Sequence, residues 1–333
     1  SSSSDGVPAH GRHHPQLPRG PNGPPRAAWA ALDLIDMESE ILHQARTIDE
    51  VPYFFRGCWL HVLEIAMSRI IRSQHESNDE QTRAWKLFSL LNRMLLAPTE
   101  FKGSLGKEEF DRRYRSFCAG NFASLIEASR IRQIHRAPGP QNVEPTPDKT
   151  IERALALIRK NELSRARQAL VGQSLAPGTS STFQQLQARR PHNEEVELSD
   201  DVREFVPQYP VELSKRIFSS VVRSASRGVS GGLLRARYSH FKVILDDENC
   251  TSMFHHCAQI FARAEIPTEV ASYMSRGSMT ALQKDTGGVR GIVTGDSFRR
   301  LVAKAIAQQY GPELETACRP FQFALSTRAG MDT

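Results

Sequence analysis

Lys284 and Arg290 stand on either side of a pair of glycines in the stretch LQKDTGGVRGIVTG, residues 282–295. An ammonium and a guanidinium at that separation can meet the oxygens of a polyphosphate, provided the chain between them turns back on itself. Gly287-Gly288 suits such a turn, because a residue without a Cβ takes positive φ freely. A three-residue loop, Thr286 to Gly288, would pair Asp285 with Val289 and Lys284 with Arg290. Both cations would then leave the same face of a hairpin. The stretch is not a Walker-type loop, since the glycine spacing and the Gly-Lys-Ser/Thr ending are absent.

A second set of cations lies upstream. Between Glu212 and Asp246 come Lys215, Arg216, Arg223, Arg227, Arg235, Arg237 and Lys242, with no acid among them in sequence. Cations without acidic neighbours can neutralise phosphates and give strongly salt-dependent binding to nucleic acid. Arg235, Arg237 and Lys242 are the expected template and primer contacts. The net charge of the whole chain, +6, points the same way.

Other clusters carry less chemistry. CTSMFHHC, residues 250–257, brings two cysteines and two histidines together without a second half of zinc-ligand spacing, so it reads as the buried face of a helix. Asp246-Asp247 in VILDDEN reads as an acidic helix end or turn, and SDDV at 199–202 as a helix N-terminus. No metal site is expected in the chain.

The elements that must position these residues are mostly helical. Residues 1–27, rich in Pro, Gly, Ser and His, read as a disordered tail. Residues 28–135 form a helical region, in which RAWKLFSLLNRMLLAP carries one apolar stripe and stops at Pro98. A proline-rich linker covers 136–149, and a helical hairpin about Asn161-Glu162 with a connector covers 150–210. Segment 211–333 adds further helices around the basic hairpin. The last helix starts at an Asp296 cap, buries Phe298, Leu301, Val302, Ala305 and Ile306, and is expected to end at Gly311-Pro312. The fold class expected is mainly α with a small β-hairpin.

The chain has 333 residues, 39% of them apolar and 24% charged, ordinary for a globular protein. No run is long and apolar enough for a membrane span, and no signal core opens the chain. An intracellular place, nucleus or cytoplasm, is expected, in keeping with five scattered cysteines. The start without Met suggests a piece of a longer reading frame.

In order, SGGLLRARYSHFKVIL (230–245), LQKDTGGVRGIVTGDSFRRLVAKAIA and PFQFALSTRAGMDT (320–333) resemble the reverse transcriptases of non-LTR retrotransposons. WKLFSLLNRMLL and ELSRARQALVGQSLAPGT look like the region that precedes the polymerase in those elements. The resemblance implies a helical upstream region followed by the fingers part of an incomplete α/β right-hand polymerase domain in 211–333. Arg290 is similar to the fingers arginine that contacts nucleotide phosphate, and Lys284 to its lysine partner. Gln322 and Phe323 stand where the family places its Gln-Phe pair, with Gln322 near the template. Gly291 replaces the family's proline, and Ala324 its glycine.

The resemblance implies an RNA-directed DNA polymerase working on an RNA template, a DNA primer and deoxynucleotides. Its Mg²⁺ would be held by aspartates beyond Thr333 in the intact enzyme. Lacking them, this chain alone is expected to be inactive. The alternative is a non-catalytic helical RNA- or protein-binding protein with a merely structural hairpin.

Overall fold

The computed structural model describes residues 23–43, 46–134, 147–159, 163–171, 175–188, 199–227, 229–284 and 287–319. Of the expected 1–27 tail, residues 1–22 lie outside the described residues, as do most of the 136–149 linker and Gln322 with its neighbours, whereas Pro24 is buried and Arg26 and Ala27 open a 3-10 helix, Arg26–Leu34.

The architecture is mainly helical with one two-stranded antiparallel sheet. A short helix α1 (Met37–Leu42) leads into the long α2 (Arg56–Ser73) and α3 (Asn78–Leu95), which pack on each other. Ser77 caps α3 through its Oγ, with Asp79 and Glu80 in the first turn, as the positive end of a helix favours. α3 is buried on nearly every face from Ala84 to Leu95, so the expected apolar stripe is wider than one side. α4 (Gly103–Cys118) and α5 (Phe122–Ile134) complete this part.

Two further helices, α6 (Pro147–Arg159) and α7 (Leu163–Val171), form the expected helical hairpin, with Ala154 and Ala166 buried and Ile151, Leu155 and Ile158 about half exposed. α6 begins inside the segment read as linker. α8 (Ser180–Ala188) and the single turn α9 (Asp200–Arg203), with Ser199 at its N-cap position, follow. Then come α10 (Lys215–Ser224), α11 (Tyr238–Lys242), α12 (Glu248–Ala262) and α13 (Thr268–Ser275). The hairpin β1 (Gly277–Gln283) and β2 (Val289–Gly295) leads into α14 (Ser297–Cys318).

One hydrophobic core joins residues from Trp29 to Ile126 with residues from Leu213 to Ala305. Phe298, on the first turn of α14, is its aromatic hub. Its ring centroid lies 6.0 Å from Trp85, 5.3 Å from Phe88, 5.5 Å from Phe254 and 5.4 Å from Phe261. The upstream helices and the segment bearing the basic hairpin are thus one packed unit.

Cys250, Phe254 and Cys257 form the buried face of α12, as its sequence suggested. His255 is half-buried with Nε2 2.5 Å from the Leu213 carbonyl, and His256 is exposed. α14 buries Phe298, Leu301, Val302 and Ala305 as expected, but it does not stop at Gly311-Pro312. It runs on to Cys318. Pro312 removes a single N–H, and the carbonyl so freed, that of Gln308, sits on an exposed stretch where water can reach it.

Candidate nucleic-acid interface

The hairpin forms, and its register differs from the expected one. Leu282 pairs with Arg290, and Gln283 with Val289. The Lys284 N–H donates to the Gly288 carbonyl at 3.0 Å, and the Gly287 N–H donates back to the Lys284 carbonyl at 3.1 Å. The loop is still three residues long, but it spans 285–287 instead of 286–288. Both glycines have positive φ, +82° and +83°, and Gly287 takes the last position of the loop. With two adjacent glycines, either could fill the left-handed place, and sequence alone did not choose between them.

Strand alternation keeps the functional consequence. Leu282 and Arg290 share a face as partners, and Lys284, two residues on from Leu282, falls on that face too. The cations are diagonal neighbours, a spacing of about 7–8 Å for such pairs. On the other face Val289 is buried and a Cβ on Gly291 would lie 3.1 Å from Leu186 of α8, while Met279 and Val293 are exposed. Arg290 is exposed, while Lys284 is half-buried. On the outer edge of β1, the Ala176 N–H donates to the Ala281 carbonyl at 3.0 Å.

The base of the hairpin is fixed firmly. Asp296 caps α14, its Oδ1 accepting from the N–H of Phe298 at 2.8 Å and of Arg299 at 3.4 Å. Its Oδ2 is buried with no partner among the described residues. Burial pushes this carboxyl up to about 6, against the capping N–H groups and Arg300, which pull it down. Gly232, at φ +64°, lets the 230–236 loop approach so closely that a Cβ there would lie 2.6 Å from the Gly295 carbonyl.

Of the second set of cations, Arg227, Arg235, Arg237 and Lys242 line a seam where residues 46–56 cross residues 223–246. Here the expectation of acid-free cations is corrected. Arg237 faces Asp49 at 3.1 Å, and Lys215 faces Glu248 at 2.5 Å. Lys242 donates from Nζ to the Arg223 carbonyl at 2.9 Å. These partners come from folding, not from adjacent sequence. Asp246 lies 3.7 Å from Arg56, and Asp247 caps α12, so the acidic pair is a helix end.

A buried histidine holds the seam together. His240 Nε2 donates to the Ile48 carbonyl at 2.8 Å, and Nδ1 lies 3.2 Å from the Arg237 backbone nitrogen and 2.9 Å from Asn92 Oδ1. The Trp59 indole donates to the His240 carbonyl at 2.9 Å. Burial brings His240 down to about 4, so the ring is neutral at physiological pH, with the Ile48 contact placing its proton on Nε2.

A buried ion cluster lies beneath. Arg93 meets Glu40 at 2.9 Å and the His43 carbonyl at 2.7 Å, and Arg130 pairs with the same carboxylate. Burial, with Arg235 adding like-charge repulsion, brings Arg93 down to about 10.

No protein-family model matches the chain, and neither a curated protein nor a solved structure matches it.

The chemistry within reach is thus read from the geometry. Among the described residues no three His, Cys, Asp or Glu side chains are grouped to hold a metal ion, and both aspartates of VILDDEN are already engaged. Mg²⁺ does not fit the described residues. No helix of the described residues is long and apolar enough to cross a membrane. What the surface carries is guanidinium and ammonium donors, on one face of the hairpin and along the seam. Arg46 and Arg56 are the seam residues that sequence reading missed. Nothing local marked them, because they meet the 223–246 segment only across the fold; the Thr47–Arg235 contact spans 188 residues.

Proposed function

We propose that this chain is the upstream helical region and fingers portion of a non-LTR retrotransposon reverse transcriptase. In this reading it grips phosphates of an incoming deoxynucleotide with Lys284 and Arg290. It contacts RNA template and DNA primer with Arg235, Arg237 and Lys242, and with Gln322 beyond the described residues. In this reading the chain alone binds without polymerising. The observation that supports the reading is that Lys284 and Arg290 share one face of the hairpin, at a separation a triphosphate can bridge.

Titrating a deoxynucleoside triphosphate against the purified chain tests it. Charge-assisted contacts of this kind are worth about 1.5–3 kcal/mol, so Lys284→Ala or Arg290→Ala should weaken binding roughly tenfold or more. Equal binding by both variants and the parent would contradict the grip.

One observation favours the non-catalytic, partner-binding alternative: the half-exposed apolar row Ile151, Leu155 and Ile158 on α6. A chain that binds a protein through α6 and ignores triphosphate and RNA would fit that alternative instead.

A further inference from the structure

Arg235 holds a backbone conformation that glycine would adopt more cheaply. Its φ is +61°, in the left-handed region that a Cβ disfavours. Contacts from two distant segments enforce this. Thr47 donates from Oγ1 to the Arg235 carbonyl at 2.8 Å, and Ser297 donates from Oγ to the Ala236 carbonyl at 2.6 Å. The loop is so tight that a Cβ on Gly231 would lie 2.5 Å from the Ala236 carbonyl. An arginine in such a place, with no hydrogen bond from its side chain to any described residue, calls for a use of that side chain.

Its surroundings say which use. The Arg235 Nε is buried without a partner among the described residues. Arg237 stands two residues on, and Arg46 is brought alongside by the Thr47 bond to the Arg235 carbonyl. Asp49, 3.1 Å from Arg237, is the one acid ion-paired with this trio among the described residues. Burial holds the Arg235 guanidinium below its ordinary range, and repulsion from Arg237 and Arg46 lowers it further. Three converging guanidiniums with one carboxylate are short of negative charge, and planar donor forks match phosphate oxygens.

We propose that Arg46, Arg235 and Arg237 form a phosphate subsite, with Arg235 as its half-buried floor and Arg46 as an exposed arm. The subsite deepens the nucleic-acid reading above and rests on it for its natural source, a phosphodiester of bound RNA. The same chemistry would accept a free phosphate.

The test follows the arginine Nε–H resonances of the labelled chain during two separate titrations, with inorganic phosphate and with an RNA oligonucleotide lacking terminal phosphates. The Arg235 signal is assigned by its loss in Arg235→Gly. It should shift saturably with RNA, and Arg235→Gly and Arg46→Ala should each weaken RNA binding about fivefold at low salt. Arg235→Gly should also keep Tm within about 2 °C or raise it, because glycine relieves both the left-handed backbone and the charge crowding.

A shift with phosphate alone supports the subsite with a free anion as its ligand and counts against the RNA source. An Arg235 signal unmoved by either titrant overturns the subsite; if RNA still binds, the broader reading stands without it. A fall in Tm of many degrees in Arg235→Gly, with no loss of anion binding, would make the side chain structural and overturn the proposal as well.

Discussion

The hairpin and the seam both present arginines and lysines, but they hold them differently. At the hairpin, Lys284 and Arg290 sit at the end of a two-stranded ribbon, and their placement depends on a glycine turn and on strand alternation. At the seam, the cations ride on a framework anchored by buried His240 and Trp59. Two-stranded ribbons are marginal by themselves, whereas a buried, satisfied polar network resists local opening. Under the proposed function the seam would be a fixed platform for a polyanion and the hairpin a movable grip for a small one.

The largest effect should come from removing the platform's anchor. His240→Ala leaves the Ile48 carbonyl and the Arg237 N–H buried and unpaired, and opens a cavity. We expect a loss of about 3–4 kcal/mol by urea unfolding. A loss below about 1 kcal/mol would show that the seam does not depend on that ring.

Acid should separate the two regions next. His240 is lowered from 6.5 to about 4, so the stability it lends is present above pH 6.5 and is lost as pH falls toward 4. Asp296, at the hairpin base, is raised from 3.8 to about 6. Its contribution has the opposite sign, present below pH 3.8 and lost as pH rises through 6. Each amounts to about 3 kcal/mol, so these two contributions nearly cancel between pH 4 and 6. Asp296→Asn keeps the cap and abolishes the compensation. Unfolding measured from pH 7 to 4 should then show a loss of about 3 kcal/mol absent from the parent; parallel curves would refute the assignment of these two groups.

Gly287→Ala should cost about 1 kcal/mol, because its φ is +82°. The cost should appear as faster amide exchange across Gly277–Gly295 with the seam unchanged. Slowing of exchange there, or loss of protection at His240, would break the separation between the regions. Smallest of all, Lys284→Ala and Arg290→Ala should change global stability by no more than about 0.5 kcal/mol.

Local signals explain how much was legible beforehand. The Asp296 cap and the α14 stripe were written in neighbouring residues, and so was the turn at Gly287-Gly288. The register was not, because two adjacent glycines offered two ways to close the same three-residue loop. The run of seven cations was visible as charge, but its partners were not: Asp49 and Thr47 meet Arg237 and Arg235 across the fold, beside the contact of His240 with Ile48. The extension of α14 past Pro312 was not legible either, because a proline's effect depends on whether the freed carbonyl can meet water. Arg46, isolated in sequence, acquired meaning from Thr47 beside it.

Salt dependence of RNA binding distinguishes the platform from the grip most sharply. It is to be measured for the parent chain, for the variant carrying Arg235→Ala, Arg237→Ala and Lys242→Ala, and for the variant carrying Lys284→Ala and Arg290→Ala. The seam variant should bind more weakly, with a log–log slope flattened by about two units, since Arg237 already shares its charge with Asp49. The hairpin variant should keep a slope within about one unit of the parent. Absence of RNA binding by the parent chain, or a seam variant whose slope matches the parent's, would contradict the fixed platform.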